Sequence, residues 1–541
     1  MHLRFSLFLA GTLLLSAALT VCAAENSPNG AFLLNPEDYR HYFNEFSRQQ
    51  LEATGHADAS PWRWMQANIP WFDSSDKAFE EMYYFRWFSF QKHVVSTPRG
   101  FVITEFLPHV KWGGYYNTIV DAAPFHLYEA RWLRDPHIAA DDARFWMSAD
   151  AAPRNYSIAI ADAIRAVTLA SGDTHLGAEL LPAMKANYHA WEATHQDANG
   201  LFWSIDTRDA MEHSISGDGY RPTLNSYMYA DAAAISALAK QAGDSATASE
   251  FAAKAEDQRA RIEKYLWNPS DQFYEVLSPA RDSGIRKEKK FVDPGTVLQF
   301  SGVRELIGYI PWDYNIPAPD HAVAWKQLFD PQGFAGKFGP TTAERRSPRF
   351  RYKNSDKCQW NGPSWPFATT QVLIGMANLE NNQQQNYVTR EDYYRLFQTY
   401  VRSQHLRLPS GKVIPWMDED LDADTGEWIA RDILAQRHSP EAGRGAYYNH
   451  SGFADPLITG LIGLRPSEKN TVVLHPLLPP KAWSYFALDG LPWHGHLLTI
   501  VYDPTGRHYH HGSGFLLFVD GRKCAERADL GPLEYHLPEK Q

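Results

Sequence analysis

The sequence predicts a mainly α chain, a closed toroid of paired helices followed by a small β domain. Three observations carry this. Stretches of helical length recur in pairs separated by short stops between about residues 76 and 464. The long segments rich in Trp, Asp, Gly and Pro all fall at one side of those pairs, as they do when loops gather over a central cavity. After Leu464 the pattern changes to short apolar, β-branched runs divided by turn residues.

Taken in order, residues 1–24 have a short basic start at Arg4, an apolar run and small residues at Cys22, Ala23 and Ala24, which is the pattern of a signal peptide cleaved after Ala23 or Ala24. A periplasmic or secreted protein is expected from it, with Cys358 and Cys524 left free. Residues 25–70 form a polar segment with helical pieces, 39–51 among them. The toroid spans 71–466 and begins with a helix over 76–93, aromatic around much of its circumference and therefore buried. A strand-like alternation at 101–107 leads into the loop 112–117, whose Trp112 is a candidate pocket wall. Helices follow over 118–133, 141–147 and 156–169, the last with Ile158, Ala161, Ile164 and Val167 at intervals of three. Gly172 and Asp173 stop it. Further helices read at 177–194, 225–241, 245–266, 322–329, 365–379 and 390–404, the last with Thr389 and Asp392 placed as a capping box. No constant period runs through the pairs, so an open tetratricopeptide array is set aside. Strands are expected at 472–474, 497–502 and 514–519 within a β domain of 467–541.

Composition narrows the function. A net charge of -11 and a pI near 6.1 exclude a nucleic-acid surface, which needs a basic face. The runs 286–290 and 345–351 read as solvated loop charges. No stretch after the first 24 residues has the length and apolarity of a membrane span. The histidine-rich positions 508–511 read as a hairpin turn, so no metal and no cofactor is assigned. Nothing signals an oligomeric state. Eighteen Trp are more than a core alone uses, and they suit carbohydrate, whose C–H faces stack on flat rings.

Two acidic segments carry the chemistry. Residues 203–231 crowd Asp206, Asp209, Glu212 and Asp218 among Trp203, Tyr220, Tyr227 and Tyr229. Residues 416–428, WMDEDLDADTGEW, present Glu419 with Asp418 as its rival. Between them lies QWNGPSWPF, residues 359–367, with Trp360, Asn361 and Trp365 at a helix start. Two distant carboxylates and a tryptophan platform are the needs of glycoside hydrolysis: one acid to protonate the departing oxygen and one carboxylate to activate water. Arg221, Asn225 and Tyr227 are further candidates for substrate contact.

At these residues the sequence resembles the (α/α)6-barrel glycosidases that include mannosylglycerate hydrolase, the trehalases and the processing α-glucosidases. Ala210-Met211-Glu212-His213-Ser214 stands where those families have Gly-Trp/Met-Asp-x-Ser. Residues 419–426 stand where they have Glu-x-Tyr-Asn-x-x-Thr-Gly, and 359–367 match their Trp-x-Gly-Pro-x-Trp-Pro element. The resemblance covers about 70–464. It implies an (α/α)6 toroid and an inverting exo-glycosidase acting on a terminal sugar of an oligosaccharide or polysaccharide fragment, with Glu212 as acid, Glu419 as base, and Trp360, Asn361 and Trp365 lining the sugar subsite. Two other readings stand beside it. A sugar-binding protein without catalysis follows from the departures at Ala210 and Leu421. A helical-toroid lyase or epimerase shares the architecture, although a lyase working on uronates needs a basic cavity rather than an acidic one.

Overall fold

In the computed structural model, residues 33–279, 295–352 and 357–538 are described, and they form an (α/α)6 toroid with a C-terminal β domain. The expected signal peptide, residues 1–24, and the basic run 286–290 lie outside these residues. Helices α1 (Arg40–Thr54) and α2 (Trp62–Asn68) precede the ring and pack on its outside. The ring then alternates outer and inner elements: α3 (Lys77–His93) and α4 (Ala123–Ala130), α5 (Pro136–Trp146) and α6 (Ile160–Ser171), α7 (Thr174–His195) and α8 (Pro222–Gln241), α9 (Ser245–Tyr265) and α10 (Ile310–Asp313). A 3-10 segment, Pro319–Gln327, takes the outer place of the fifth pair with α11 (Pro366–Asn382) inside. The sixth joins α12 (Arg390–Ser403) to α14 (Ala454–Pro456), with α13 (Ile429–Gln436) in the loop between them. Each inner helix contacts the next, and α14 returns to α4, which closes the circle.

Local chemistry sets the boundaries. Asp76 accepts from the Ala78 N–H to start α3, and Asp173 does the same for α7 through His175. Gly172 ends α6 in the left-handed region at φ 71°. Thr389 and Asp392 form the expected capping box of α12. Helix α3 is buried on nearly every side, as its all-round aromatic sequence requires.

One carboxylate closes the ring. Glu129 at the end of α4 accepts from Arg86 Nε of α3 at 3.0 Å and from the backbone N–H groups of Phe453 and Asp455 at 2.9 and 2.8 Å, satisfying the first donors of α14 more than 320 positions away. A Cβ on Gly452 would stand 2.8 Å from Glu129 Oε1, so only glycine lets the carboxylate this close. Asp455, in turn, accepts from Arg131 and from the Trp132 indole.

The β domain is a five-stranded antiparallel sheet in the order 71–74, 486–493, 496–503, 514–519, 522–527, with 471–474 paired to 533–536. The three expected strands are present. Strand Phe486–Trp493 escaped the sequence pattern because Asp489, Gly490 and Pro492 interrupt it; a bulge between Asp489 and Leu491 absorbs them. Trp71–Ser74 lies on the toroid side of the expected boundary, yet it supplies this sheet's edge strand. The two domains share one continuous core, in which Trp483 packs on Phe72 and Phe79, and Trp132 stacks on Trp493. One further expectation is corrected, and one inner helix was not expected. The helix expected at 322–329 is 3-10 structure starting at Pro319, where proline punctuates the segment. The four-residue inner helix Ile310–Asp313 is too short to show a period. Neither Cys358 nor Cys524 is in a disulfide among the described residues.

Glu129→Ala leaves the Arg86 guanidinium buried without its carboxylate and uncaps α14. A loss of about 3–5 kcal/mol in denaturant-induced unfolding is expected, with a smaller loss in Glu129→Gln. A change in Glu129→Ala no larger than that of an exposed glutamate would contradict the clasp.

Candidate active site

The segments entering the inner helices meet at one end of the ring. Glu105 and Asp121 lie ahead of α4, Tyr156 ahead of α6, Glu212 ahead of α8, Cys358 to Asn361 ahead of α11, and Tyr448 to His450 ahead of α14.

The acid loop 206–217 is wound around Arg221. Its guanidinium is fully buried and donates to Asp209 at 3.1 Å, Asp206 at 3.3 Å, Ser214 Oγ at 3.1 Å, and the carbonyls of Met211 and Gly217 at 3.1 and 2.7 Å. Glu305, just ahead of α10, accepts from the Ile215 N–H at 2.7 Å. Glu212 projects from this frame. Tyr156 donates to its Oε1 at 2.5 Å, and the Cys358 thiol lies 3.8 Å from its Oε2. Burial pushes Glu212 from 4.5 up to about 7; the hydrogen bond from Tyr156 opposes this, and the nearby charge of Asp121 adds to it.

Glu419 follows the strand Val413–Pro415. Arg444 grips it bidentately, Nε to Oε1 at 2.7 Å and Nη2 to Oε2 at 2.8 Å, the fork geometry of an ionised carboxylate. Burial pushes Glu419 upward, and Arg444 is the main opposing influence. The guanidinium lies 5.0 Å from the ring centre of Trp112, a side chain 46% exposed, so the pair sits beneath an aromatic at the mouth. Asp418 is packed away instead: it accepts from the Trp416 indole and the Glu419 N–H, and its Oδ1 occupies the space that a Cβ on Gly445 would need. Reciprocal backbone bonds at 2.9 Å between Leu421 and Ser364 tie this loop to the tryptophan segment.

Two carboxyls absent from the sequence reading complete the cluster. Burial pushes Glu105 well above the usual carboxylate range, with the charge of Asp121 adding to it, and pushes Asp121 up to about 6. The Tyr448 hydroxyl donates to Glu105. Electrostatic contacts link Asp121 to Glu212, Glu105 to Glu419, and Cys358 to both Glu212 and Glu419. The four carboxyls thus share one site.

A run of rings connects them: Trp112 to Phe106 at 5.7 Å, Phe106 to Tyr448 at 4.4 Å, Tyr448 to His450 at 3.9 Å, His450 to Trp365 at 5.9 Å, and Trp365 stacked on Trp360 at 4.0 Å. Both ring nitrogens of His450 and both amide atoms of Asn361 are buried without a partner among the described residues. Burial pushes His450 well down, so its imidazole is neutral, with one donor and one acceptor. Donors and acceptors of both kinds beside aromatic faces are what sugar hydroxyls and C–H faces use. Among the described residues no three His, Cys, Asp or Glu side chains are grouped as metal ligands are.

Of the expected substrate contacts, Trp112, Trp360, Asn361 and Trp365 are at this site. Trp203, Arg221, Asn225 and Tyr227 make their contacts within the protein. Trp203 is buried edge-on to Tyr220. Arg221 is the hub described above. Asn225 spends its amide on both backbone groups of Phe202 and on the Arg221 carbonyl. Tyr227 accepts from Gln371 between α8 and α11. Glu105, Asp121, Tyr156, Arg444 and His450 were missed as site residues, although Glu105, just after the strand Gly100–Ile103, and the helix entry at Asp121 flank the glycine-bearing loop that holds Trp112.

The sequence profile of the mannosylglycerate hydrolase MGH1-like glycoside hydrolase domain matches residues 115–451, more than half of the chain. The chain belongs to this glycoside hydrolase family. A second profile, the C-terminal domain of glycosyl hydrolase family 65, matches residues 464–525, within the β domain. A solved structure titled sialidase is 37% identical over 93% of this chain with a TM-score of 0.82, and the chain spans 44% of that protein's length. The GH63 mannosylglycerate hydrolase of Thermus thermophilus, solved with Tris and D-glycerate, is 12% identical over 69% of this chain and 98% of its own, with a TM-score of 0.50. The same enzyme with Tris alone gives 12%, 70%, 99% and 0.50. At that identity the likeness is one of fold. Among the described residues of this glycosidase-family chain, no helix is long and apolar enough to cross a membrane.

The raised pKa of Glu212 has a consequence for stability. Between pH 4.5 and about 7 the folded protein holds this proton while the unfolded chain has released it, so the stabilisation is full below 4.5 and is lost as pH rises to about 7. Glu212→Gln does not titrate. Its stability relative to the native protein is expected to improve on the order of 3 kcal/mol between pH 4 and pH 8. A difference that stays flat with pH would show that Glu212 is not shifted.

Proposed function

We propose that this protein is an exported, inverting exo-glycosidase that removes a terminal sugar from an oligosaccharide or polysaccharide fragment. Glu212 is the acid and Glu419 the base. The observation that carries the reading is the unlike surroundings of the two carboxyls: Glu212 is half-buried, forms no ion pair among the described residues and is pushed up to about 7, whereas Glu419 is held by the Arg444 fork. An acid that keeps its proton and a carboxylate that stays ionised at the same pH are the two parts this hydrolysis needs. Glu419 has both oxygens engaged by the fork, which suits activating a water more than attacking the anomeric carbon itself. The Glu105 and Asp121 carboxyls, with Asn361 and His450, bind the sugar hydroxyls over the Trp360–Trp365 stack. A cleft floored by buried rings receives a chain end, and the leader-like residues 1–24 support export.

Loss of the acid is felt most where the leaving oxygen is basic. Glu212→Gln is expected to abolish turnover of natural glycosides while sparing an activated aryl glycoside, and Asp121→Asn to impair both equally. Tyr156→Phe removes a hydrogen bond that lowers the Glu212 pKa, so the alkaline limb of kcat/KM should move to higher pH. NMR of the first-formed product should show the anomer opposite to that of the substrate. A retained anomer, or a glycosyl adduct on either carboxylate, would overturn the inverting assignment, and full activity in Glu419→Ala would move the base to Asp418.

A further inference from the structure

At the opposite end of the toroid, a cavity of about 240 Å³ opens between the C-terminal halves of the inner helices. At ~30 Å³ per water, this is room for a small molecule rather than for isolated solvent. Rings close it off from the catalytic cleft: Phe125 lines its wall and packs at 4.7 Å on Phe367, whose other neighbour is His450. The site described above therefore does not extend into it.

Its lining carries groups of both signs. Arg131, Arg165 and Arg465 are among them. Arg131 is matched by Asp455 at 2.6 Å and Arg165 by Glu468 at 2.6 Å. Arg465 donates to the Asn378 side chain and the Thr459 carbonyl, and among the described residues it forms no ion pair. A guanidinium drawn into the fold without an anion is costly, and its free N–H groups favour a carboxylate approaching in the plane of the fork. Asp162 and Asp313, with Tyr128, also line the cavity. Tyr128 donates to Asp162 at 2.6 Å, while Asp313 Oδ1 is buried with no partner among the described residues. Burial pushes both aspartates up, and the charge of Asp162 pushes Asp313 further, so Asp313 stays protonated and can give as well as take a hydrogen bond. A protonated Asp313 does not draw a cation, but it does satisfy a hydroxyl. Phe125, Leu169 and Leu373 add apolar lining.

We propose that this cavity is a second, non-catalytic binding site for a small polyhydroxylated monocarboxylate, a sugar acid, with its carboxylate on Arg465 and its hydroxyls toward Asp162 and Asp313.

Titration calorimetry of the full chain with D-glucuronate, D-glucose, acetate and sulfate tests this. Glucuronate should bind at least tenfold more tightly than the other three. Arg465→Met should weaken glucuronate tenfold or more. Arg165→Met, at the half-buried rim, should weaken it severalfold and keeps the test open if the first variant fails to fold. Asp162→Asn should narrow the preference for glucuronate over acetate, and Asn361→Ala, in the catalytic cleft, should leave this binding unchanged. Three outcomes would overturn the proposal: no glucuronate binding, binding lost in Asn361→Ala but kept in the arginine variants, or sulfate and acetate binding as tightly as glucuronate.

Discussion

The ring depends on the Glu129 carboxylate. A toroid of helical pairs has no covalent closure, so the last inner helix must be held against the first by something its own sequence does not provide. Here the first N–H donors of α14 are met by a side chain from α4, whose charge is balanced by Arg86 from α3. The arrangement is directional as well as strong. Charge-assisted bonds to backbone donors fix where the preceding segment enters, and that segment holds Tyr448 and His450. Arg86 also donates to the Asn449 side chain at 2.7 Å, and the Asn449 backbone and amide bond the carbonyls of Glu105 and Thr104. The clasp that closes the fold thus brings the Glu105 strand and the His450 turn to one place.

A second buried guanidinium does for the acid loop what the clasp does for the ring. Arg221 gathers two carboxylates, a hydroxyl and two carbonyls from residues 206–217, and one of those carbonyls belongs to Met211, immediately before Glu212. His213, next along, sits at φ 54°, a conformation that needs such support. A fixed backbone on both sides of Glu212 leaves only its side-chain torsions to be set.

How much of this is legible in the sequence follows from the range of each signal. Helical pairs, caps and the change to β structure are local, and they read correctly; α3 and the α12 capping box are examples. The acidic segments and the tryptophan element also stand out, because they concentrate unusual residues within a dozen positions. Arg221 and Asn225 misled for the same reason: polar side chains beside an acidic motif look like ligands of the substrate, and only three-dimensional bonding shows them spent on the loop's own backbone. Glu105, Asp121 and His450 are single residues whose meaning lies in neighbours far away in sequence, as with Glu105 and Tyr448, separated by 343 positions. No window of sequence contains that information. Strand Trp71–Ser74 is similar, an edge that acquires its identity from a partner beyond residue 485.

The glutamate at position 212 occupies a place where the resembling families carry aspartate, and the difference has a structural answer. An extra methylene adds a torsion and moves the carboxyl farther from the backbone, so an unrestrained glutamate samples more positions than an aspartate and loses precision as a proton donor. Here it is held from two directions: Tyr156, on the approach to α6, and Cys358, on the approach to α11, each address a different oxygen. Neither contact carries positive charge, which matters as much as the geometry. A lysine or arginine in either place would pin the carboxyl equally well but would draw its pKa down and remove the proton that the chemistry needs. A hydroxyl and a thiol that burial keeps protonated fix the position while leaving desolvation in command of the charge. The opposite choice is made across the cleft, where Arg444 pins Glu419 and favours its ionised form. The same task, immobilising a glutamate, is thus performed by neutral donors on one side and a cation on the other, and that difference separates the two carboxyls in function.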